Sequence, residues 1–377
     1  MRILLQGRSN RSVQTTPGGD QVQLEETARL LCEQFDVDIL LSSDLQPDLS
    51  DIDAVHLFGI VRPQEVWIQA RNAHRQGKPI LLSTVYCDVR EFERTARTGP
   101  VGWIARQTTP DAFEALKAGG RALNNREWTI GSAALFTRGF TRMQREVIEM
   151  STLFLPNSWS EWRRLKADLN LDVSDDRVVV VPNGVDLAEM DVDRVDSGEL
   201  ERLSAFKGSV LCVARIEGRK NQLRLIQALR DTDFTLVLAG KPTPNQTRYV
   251  AKVREAAAGA SNVYYLGEVS PNAKRALYAL ARVHAMPSWM ETTGISSLEA
   301  AVMDCALVVT PNGDTREYFD NYAHFCRPDD LNSIRDAVDA GWRAGPNAEL
   351  KQRIIDDYTW VKAADATYCA YRKVLSM

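Results

Sequence analysis

The chain has 377 residues, of which 44% are hydrophobic and 25% are charged, and its formal net charge is −4. This length allows two or three domains of about 150 residues each, and the composition is that of an ordinary globular protein. The slightly acidic balance argues against a nucleic-acid-binding protein, and no apolar run reaches the ~18 residues that would cross a bilayer.

The cysteines, histidines and first residues indicate a metal-free protein of the cytoplasm. The six cysteines form no C-x-x-C pair, and most lie in apolar runs, as reduced core residues do. The four histidines lack the spacing of metal ligands. The opening residues, Met1–Leu5, are typical of a strand and are too short and wrongly flanked for a signal peptide.

Short apolar strands alternate with helical patterns through the first half. After the first strand, Arg2–Gln6, comes a loop with Gly18 and Gly19 and then a helix. Further strands are predicted at Val37–Leu41, Ala54–Phe58, Ile80–Val85, Leu153–Pro156 and Arg177–Val181, with helices that include Pro63–Gln76 and Gly139–Glu149. The alternation predicts an α/β fold with a parallel, doubly wound sheet. The absence of G-x-G-x-x-G argues against a dinucleotide-dependent dehydrogenase.

Ligands of doubly wound sheets bind at the carboxyl ends of the strands. That rule places three segments of the first half at one edge of the predicted sheet. They are Gly18–Gly19, His56–Gly59 and Tyr86–Asp88.

A segment from Arg90 to Arg145 interrupts the alternation. It carries ten basic against five acidic residues, with interleaved aromatic residues at Trp103, Phe113, Trp128, Phe136 and Phe140. The segment could be a surface for an anionic or lipid-linked acceptor at a membrane. It could equally be a set of solvated helix faces that cover the sheet.

The second half repeats the strand–helix pattern after a linker. The linker, Leu187–Lys207, is acidic and contains Gly and Ser. Strands are predicted at Ser209–Val213, Phe234–Ala239, Val263–Leu266, Val283–Met286 and Leu307–Thr310, and helices at Gln222–Leu229, Gln246–Ala258 and Pro271–Leu280. Another helix follows Gly294, and two more close the chain. Two Rossmann-like halves that face each other would leave a deep cleft between them.

The residues around Gly294 predict an anion-binding site. A helix begins there, and a helix start offers unpaired N–H groups and partial positive charge. Glu291 precedes this start and Glu299 lies about a turn beyond it, so a carboxylate flanks the anion on each side, as suits a sugar nucleotide. Arg215 and Lys220, in an earlier loop, are side chains that pair with phosphate oxygens. Taken alone, each pattern also fits an ordinary surface helix or loop.

Four segments of the second half together carry a family resemblance. They are Val181–Asp186 (VPNGVD), Val213–Lys220 (VARIEGRK), Tyr265–Ser270 (YLGEVS) and Glu291–Glu299, with its E-x7-E spacing. On these segments the chain resembles the retaining glycosyltransferases of family 4, also called glycosyl transferases group 1. The match is strong in the second half, and the first half matches only in outline.

The resemblance implies the GT-B fold, with two Rossmann-like domains that face each other across a cleft. Residues 1–186 would form the acceptor domain, joined by a terminal helix at about 361–377 that crosses back onto it, and residues 187–360 would form the donor domain. The implied activity is that of a hexosyltransferase that moves a sugar from a nucleoside diphosphate sugar, with UDP or GDP as the expected nucleotide. The implied acceptor is a hydroxyl of a glycan or lipid-linked molecule in polysaccharide or cell-surface glycan synthesis, reached by peripheral contact at the inner face of the membrane. A same-fold epimerase or phosphorylase, and a non-catalytic sugar-nucleotide-binding subunit, remain as alternatives.

The resemblance also implies roles for the matching residues. Arg215 and Lys220 would stabilise the departing diphosphate without a metal or cofactor. Glu299 would bind the ribose hydroxyls, and Glu291 would contact the hydroxyls of the donor sugar. The other implied donor-binding residues are Gly18, Gly19, Val269, Thr293, Gly294, Ile295 and Ser296. The implied acceptor-binding residues are His56, Tyr86 and Asp88.

Three positions depart from the family pattern. Tyr86-Cys87-Asp88 stands where the family often has His-Asp, so no catalytic histidine is assigned. Asp314 replaces a residue that approaches the donor, and Asn221 stands where a glycine usually follows the lysine.

Overall fold

The computed structural model describes residues 1–7, 18–87, 92–93, 99–125 and 129–377. The chain divides into two compact units, which we call unit 1 (residues 1–183 and 360–377) and unit 2 (residues 184–359). Each unit contains one parallel sheet whose strands alternate with helices. The predicted α/β, doubly wound class is therefore confirmed.

Unit 1 has a five-stranded sheet with the order β2-β1-β3-β4-β5. Its strands are β1 (Arg2–Gln6), β2 (Asp38–Ser42), β3 (Ala54–Phe58), β4 (Ile80–Ser83) and β5 (Leu153–Phe154). All five residues of β3 are buried, as expected for a central parallel strand that is covered on both faces. The strand order reverses between β1 and β3, which are paired with Ile3 opposite Ala54.

Seven helices of unit 1 precede unit 2 among the described residues. They are α1 (Gly19–Phe35), α2 (Pro63–Arg75), α3 (Gly99–Gln107), α4 (Pro110–Asn125), α5 (Ile130–Arg138), α6 (Phe140–Met150) and α7 (Trp159–Leu169). Helix α6 is amphipathic and buries an apolar stripe that includes Met143 and Val147 against the core of unit 1.

Unit 2 has a six-stranded sheet with the order β11-β10-β9-β6-β7-β8. Its strands are β6 (Val210–Val213), β7 (Leu236–Ala239), β8 (Val263–Gly267), β9 (Val283–Met286), β10 (Ala306–Val309) and β11 (His324–Phe325). Its helices are α8 (Ser197–Arg202), α9 (Gln222–Leu229), α10 (Thr247–Ala258), α11 (Pro271–Leu280), α12 (Ile295–Val302), α13 (Thr315–Phe319), α14 (Leu331–Ala344) and α15 (Ala348–Asp357).

The terminal helix, α16 (Trp360–Leu375), belongs to unit 1, although unit 2 precedes it in the chain. It packs on α1, where the rings of Phe35 and Tyr368 stack with centroids 4.7 Å apart. The segments that enter and leave unit 2 pair at a bridge between Val185 and Thr359. Unit 2 is therefore inserted into the sequence of unit 1, and its two connecting segments lie side by side at this bridge.

Several predicted elements differ from the structure. Arg177–Val181 forms only a single bridge, between Phe154 and Val178, because a 3-10 turn precedes it and Pro156 on the partner segment has no N–H to donate. The predicted linker Leu187–Lys207 contains α8, whose first turn is capped by Asp196. Strand β11 and the short helix α13 were not predicted, because elements of two and five residues are too short to show a period.

Candidate functional site

The carboxyl edge of the unit 2 sheet, where its strands end, carries most of the residues predicted to bind the donor. The strand order reverses between β6 and β9, which are hydrogen-bonded neighbours. Loops of parallel sheets separate at such a reversal and leave a crevice for a ligand. The loop after β6 spans residues 214–221, and the loop after β9 spans residues 287–294. These two loops form the candidate site.

Lys220 and Glu291 meet directly across the two loops. Lys220 Nζ lies 2.7 Å from Glu291 Oε1. Arg219, which was not singled out in the sequence, lies beside them, with Nη1 at 3.6 Å from the same oxygen. Arg219 also donates a hydrogen bond to the Met290 carbonyl at 2.8 Å, and its own carbonyl accepts one from Trp289 N–H at 2.9 Å. The second base and the first acid of the predicted site are therefore an ion pair.

Arg215 approaches the same cluster through a second carboxylate. Its Nη2 atom lies 3.4 Å from Glu217 Oε1, and Arg219 Nη2 lies 3.2 Å from that oxygen. The Glu217 side chain is 8% exposed, whereas that of Arg215 is 30% exposed. One loop thus holds three basic side chains against two buried carboxylates, and it leaves part of the Arg215 guanidinium open to solvent.

Glu291 is ionised in this arrangement. Burial on its own would raise the pKa of Glu291, but the charge of Lys220, followed by that of Arg219, lowers the pKa to about 2. A buried carboxylate of this kind needs its cations, because an unpaired buried charge costs several kcal/mol by general estimate (roughly 3–5). The ionised Glu291 is therefore stable in the interior as long as it keeps a cationic partner.

Helix α12 begins at Ile295, immediately after this cluster. Gly294 precedes it with φ +80°, a left-handed conformation that suits glycine, and Gly294 O accepts a hydrogen bond from Ser297 N–H at 2.7 Å. The residue before α12 is a glycine, so it offers no side-chain acceptor to the start of the helix. A helix start can bind an anion through its first N–H groups. Thr293 is fully buried beside this start.

Glu299 lies one turn into α12 and is held by two donors from α11. Lys274 Nζ lies 2.8 Å from its Oε1 atom, and the Tyr278 hydroxyl lies 2.9 Å from its Oε2 atom. The Glu299 side chain is 14% exposed, so the carboxylate still reaches the solvent. Lys274 had not been singled out in the sequence.

Two further positions fix the loops of the site. Gly313 has φ +99°, and a Cβ atom there would lie 1.9 Å from the Glu291 carbonyl oxygen, so only glycine fits. Asn221 has φ +63° and donates hydrogen bonds to the carbonyls of Pro287 and Pro328 at 2.9 and 2.8 Å. Asparagine tolerates the left-handed region, which explains how it occupies a position where a glycine is usual.

His284 lies in the core of unit 2 on β9. It is fully buried, and both ring nitrogens lack a hydrogen-bond partner among the described residues. Burial, assisted by the charge of Lys220, lowers the pKa of His284 to about 3. The only sequence signal for this residue was a histidine inside an apolar strand, which rarely indicates a ligand-binding role.

The remaining predicted donor residues belong to different elements. Val269 packs against the hydrophobic core of unit 2. The Ser296 carbonyl accepts a hydrogen bond from Tyr278 at 3.2 Å. Gly18 and Gly19 belong to unit 1, where Gly18 is the extended residue before α1 and Gly19 is the first residue of that helix.

His56, which the resemblance assigns to the acceptor, lies in the interior of unit 1. Its side chain is 1% exposed, with Nδ1 at 2.8 Å from the Tyr371 hydroxyl and Nε2 at 2.9 Å from the Ser83 hydroxyl. Both ring nitrogens are therefore engaged inside unit 1, where they tie α16 to the sheet. Burial lowers the pKa of His56 to about 3, so the ring is neutral. His56 is the middle residue of β3, a strand that is buried along its whole length, and its place within an apolar run was visible in the sequence.

Tyr86 is also buried, in a segment that follows β4 and is held by a carboxylate. Glu161 Oε1 accepts hydrogen bonds from the Tyr86 N–H at 2.8 Å and from the Thr84 hydroxyl, and Oε2 accepts one from Asn157 N–H at 3.0 Å. Val85, between Thr84 and Tyr86, has φ +42°, which is a strained conformation for a β-branched residue. The predicted acceptor residue Asp88 lies outside the described residues.

The same helix, α7, engages the rest of Tyr86. Arg164 Nη2 lies 3.4 Å from the Tyr86 carbonyl oxygen, and the Tyr86 hydroxyl donates to Asp168 at 2.8 Å. Glu161, Arg164 and Asp168 share one face of α7, since they are three and four residues apart. Tyr86 is thus part of a fixed segment, and its hydroxyl is committed to Asp168.

Within the described residues, no group of three or more His, Cys, Asp or Glu side chains is arranged to hold a metal ion. A separate search of the same residues finds no helix with the length and apolar character needed to span a bilayer.

Comparison with known proteins gives relatives for both the sequence and the fold. Residues 205–351 match the model of the family described as glycosyl transferases group 1. A curated relative, the alpha-maltose-1-phosphate synthase of Mycolicibacterium smegmatis, is 30% identical over 225 residues, which are 53% of this chain and 57% of the relative. The chain thus matches less than two thirds of that relative's length.

Solved structures show a similar fold over the whole chain. Sucrose-phosphate synthase from Thermosynechococcus elongatus aligns with a TM-score of 0.72 and 12% identity, and the alignment covers 100% of both chains. HepE from Anabaena, in complex with UDP and glucose, aligns with a TM-score of 0.70 and 14% identity over 99% of both chains. At these identities the likeness establishes the fold alone.

Proposed function

Because residues 205–351 match the model of the glycosyl transferases group 1 family, in a chain with the GT-B fold, we propose that this protein is a retaining glycosyltransferase. It would move a sugar from a nucleoside diphosphate sugar to a hydroxyl group of a glycan or lipid-linked acceptor. The observation that carries the proposal is the ion pair between Lys220 and the buried Glu291, 2.7 Å apart, at the point where α12 begins. Cations beside the start of a helix are suited to bind a diphosphate.

The basic residues suit the departure of a diphosphate. When the bond between the anomeric carbon and the phosphate oxygen breaks, its electron pair remains on the diphosphate. Arg215 and Lys220 carry fixed charges next to the start of α12, and such preorganised charges stabilise the transition state without solvent rearrangement. The proposed chemistry requires neither a metal nor a cofactor. We expect transfer to continue in the presence of a chelator.

The acceptor hydroxyl would attack from the face that the diphosphate leaves, either directly or after a short-lived ion pair has formed. Attack on that face retains the configuration of the anomeric carbon. Glu291 would accept hydrogen bonds from the donor sugar. Its pKa of about 2 keeps it ionised, and its low basicity and pairing with Lys220 make it a weak nucleophile.

The donor is proposed to be a UDP- or GDP-sugar. HepE has been solved with UDP and glucose and with UDP-glucose, which makes UDP-glucose the first compound to test. The acceptor is proposed to belong to polysaccharide or cell-surface glycan synthesis. The name of the curated relative, alpha-maltose-1-phosphate synthase, adds sugar phosphates to the acceptors that a transfer assay should contain.

The experiment starts with binding. We expect one nucleoside diphosphate sugar from a set with UDP, GDP, ADP and dTDP to raise the unfolding temperature. A ligand at about 100 times its Kd adds about 2.7 kcal/mol to the free energy of unfolding. The donor identified in this way is then incubated with candidate acceptors, and the configuration of the product is read by NMR.

Variants connect the activity to the site. We expect Lys220→Ala to lower kcat by about a hundredfold or more, because one fixed charge on the leaving group is lost. Lys351→Met is the control, since Lys351 forms an ion pair of 2.8 Å with Asp304 on another face of unit 2. Unchanged turnover in Lys220→Ala, or an epimerised donor formed without an acceptor, would contradict the proposal.

Contact with a membrane is a further part of the proposal. Trp103, Ile130 and Phe136, on α3 and α5, are 61%, 71% and 54% exposed. Exposed aromatic side chains near basic ones favour the interfacial region of an anionic bilayer. A Trp103→Ser/Arg106→Ser double variant should bind phosphatidylglycerol vesicles less than wild type. Equal vesicle binding by the two proteins would remove this part.

A further inference from the structure

The Glu299 carboxylate is held at both of its oxygens by one face of α11. Lys274 and Tyr278 are four residues apart and so lie on the same side of this helix. Lys274 Nζ reaches Oε1 at 2.8 Å, and the Tyr278 hydroxyl reaches Oε2 at 2.9 Å. The carboxylate therefore has a fixed orientation with respect to α11.

Tyr278 is itself immobilised. Its side chain is fully buried, and its ring packs edge-on against His284 with centroids 6.0 Å apart. Its hydroxyl also lies 3.2 Å from the Ser296 carbonyl in the first turn of α12. The phenol thus joins α11 to the start of α12. Burial raises the pKa of Tyr278 well above its ordinary value, so the phenol keeps its proton.

The two donors leave acceptor capacity on both oxygens. A carboxylate oxygen has two lone pairs, and each Glu299 oxygen uses one of them for the protein donor on its side. The remaining lone pairs form two parallel acceptors on one rigid group that is 14% exposed. Two hydroxyls on adjacent carbons match this pattern. Lys274 also offsets the charge of Glu299, so these acceptors add little repulsion towards a nearby diphosphate.

We propose, building on the function proposed above and on the ribose-binding role that the family resemblance implies for Glu299, that Lys274 and Tyr278 are positioning residues that orient the Glu299 carboxylate towards the 2′- and 3′-hydroxyls of ribose. The site then selects ribonucleoside diphosphates over their 2′-deoxy counterparts. A donor built on a 2′-deoxynucleotide leaves one acceptor of Glu299 without a hydroxyl and binds more weakly.

The experiment measures Kd by calorimetry for one ribonucleoside diphosphate and for the same compound without the 2′-hydroxyl. The ribonucleotide is whichever of UDP, GDP and ADP stabilises the wild-type protein most. We expect wild type to prefer the ribonucleotide by about tenfold or more, the discrimination typical of a hydrogen bond to a charged group. Tyr278→Phe and Lys274→Met should each lower ribonucleotide affinity by about tenfold and lower 2′-deoxynucleotide affinity by clearly less, because the 2′-deoxynucleotide has one hydrogen bond to Glu299 fewer to lose.

Two controls and a partly exposed test position separate positioning from a general loss of structure. Lys351→Met removes an ion pair of the same 2.8 Å length and should keep the wild-type preference. Lys274→Arg should restore part of the preference, because it keeps a cationic donor. Lys274 is 26% exposed, so Lys274→Met provides a folded variant even where Tyr278→Phe does not fold.

The outcomes distinguish the two proposals. A wild-type protein that binds no nucleotide refutes the proposed function and this inference with it. A wild-type protein that binds both nucleotides equally refutes only the selection of ribose. Equal losses for both nucleotides in Lys274→Met would show that Lys274 supports the fold rather than the orientation of Glu299, and this would overturn the inference.

Discussion

The carboxyl edges of the two sheets hold their buried carboxylates in opposite ways. In unit 2, Glu291 is neutralised by Lys220 and Arg219, which are side chains at the ends of flexible stems. In unit 1, Glu161 is held by the main-chain N–H groups of Tyr86 and Asn157 and by a threonine hydroxyl. A side-chain cation can turn to a ligand anion without moving the backbone. A main-chain N–H cannot leave unless its loop unfolds, so the unit 2 edge suits ion exchange and the unit 1 edge suits a fixed loop.

The left-handed residues show the same contrast. At the unit 2 edge they include Gly294, Gly313 and Asn221, which adopt positive φ at little cost. The unit 1 edge has a glycine of this kind, Gly59, but also a β-branched residue, Val85, with φ +42°. Such a conformation costs about 1–3 kcal/mol and persists only when its surroundings enforce it. Glu161, which bonds to residues on both sides of Val85, provides that enforcement.

The largest expected effect tests the ion pair of unit 2. Lys220→Met should lower the free energy of unfolding by about 3–5 kcal/mol, because it leaves Glu291 buried with a weakened set of cations. The double variant Lys220→Met/Glu291→Gln should recover much of that loss. Urea unfolding measures both, and Lys351→Met, which breaks a partly exposed pair, should cost less than about 1 kcal/mol. A double variant as unstable as the sum of the single ones would show that the two side chains are not coupled.

Gly313→Ala should have the next largest effect. A new Cβ would overlap the Glu291 carbonyl, in addition to the cost of a positive φ. Gly345 is the matched control: its φ is +73°, but the nearest atom to an added Cβ, Arg282 Nη2, is 3.7 Å away. Gly345→Ala should cost about 1–2 kcal/mol from strain alone, and Gly313→Ala clearly more. Equal losses in thermal unfolding would mean that the contact with Glu291 does not restrict the loop.

The pH dependence of stability should differ in sign between the two carboxylates. The pKa of Glu291 falls from 4.5 to about 2 on folding, so its contribution is present above pH 4.5 and is lost as the pH falls towards 2. Burial raises the pKa of Glu161 above 4.5, despite hydrogen bonds that oppose the shift, so stability is lost as the pH rises through that raised value.

Glutamine variants read these two slopes separately. Glu291→Gln should flatten the acid side of the curve of urea midpoint against pH, and Glu161→Gln should flatten the side above pH 4.5. Slopes that are unchanged in both variants would remove the electrostatic half of the comparison between the edges.

The smallest expected effect concerns the strain at Val85. Val85→Asn should stabilise the protein by about 1 kcal/mol, because asparagine tolerates the left-handed region better than a β-branched residue. If the strained segment serves the acceptor, the same variant should raise the KM for the acceptor while the KM for the donor stays unchanged. A loss of stability in Val85→Asn would show that packing of the valine outweighs its strain.

Sequence patterns predicted most strands and helices, because the pattern of apolar residues that marks each element is local in the chain. Ala54–Phe58, Val283–Met286, Gln222–Leu229 and Pro271–Leu280 have the predicted bounds, since apolar runs and caps mark both ends. The strand predicted at Arg177–Val181 was wrong, because the apolar pattern of this segment could not show that Pro156, on the partner segment, has no N–H to donate. Charge and period predicted that Lys220, Glu291 and Glu299 belong to a site.

The sequence could not predict which side chains contact Lys220, Glu291 and Glu299. Lys274 and Tyr278 show their common helix face through their spacing, but only the packing of α11 against α12 brings them to Glu299. The motif predicted roles for Arg215 and Lys220 only. The structure adds Arg219, through its contacts with Glu217 and Glu291. His56 was placed at the edge by its position near a strand end, whereas the side chain points into the core.

The terminal helix α16 has a consequence for biosynthesis. Unit 2 is one continuous stretch, residues 184–359, and it can fold as soon as it has left the ribosome. Unit 1 is completed later, because its helix Trp360–Leu375 is made after unit 2 and supplies Tyr371 to the buried His56 and Tyr368 to Phe35. Unit 2 can therefore complete its fold before unit 1 does. A nascent chain stalled before residue 360 would expose to chaperones the face of unit 1 that α16 covers.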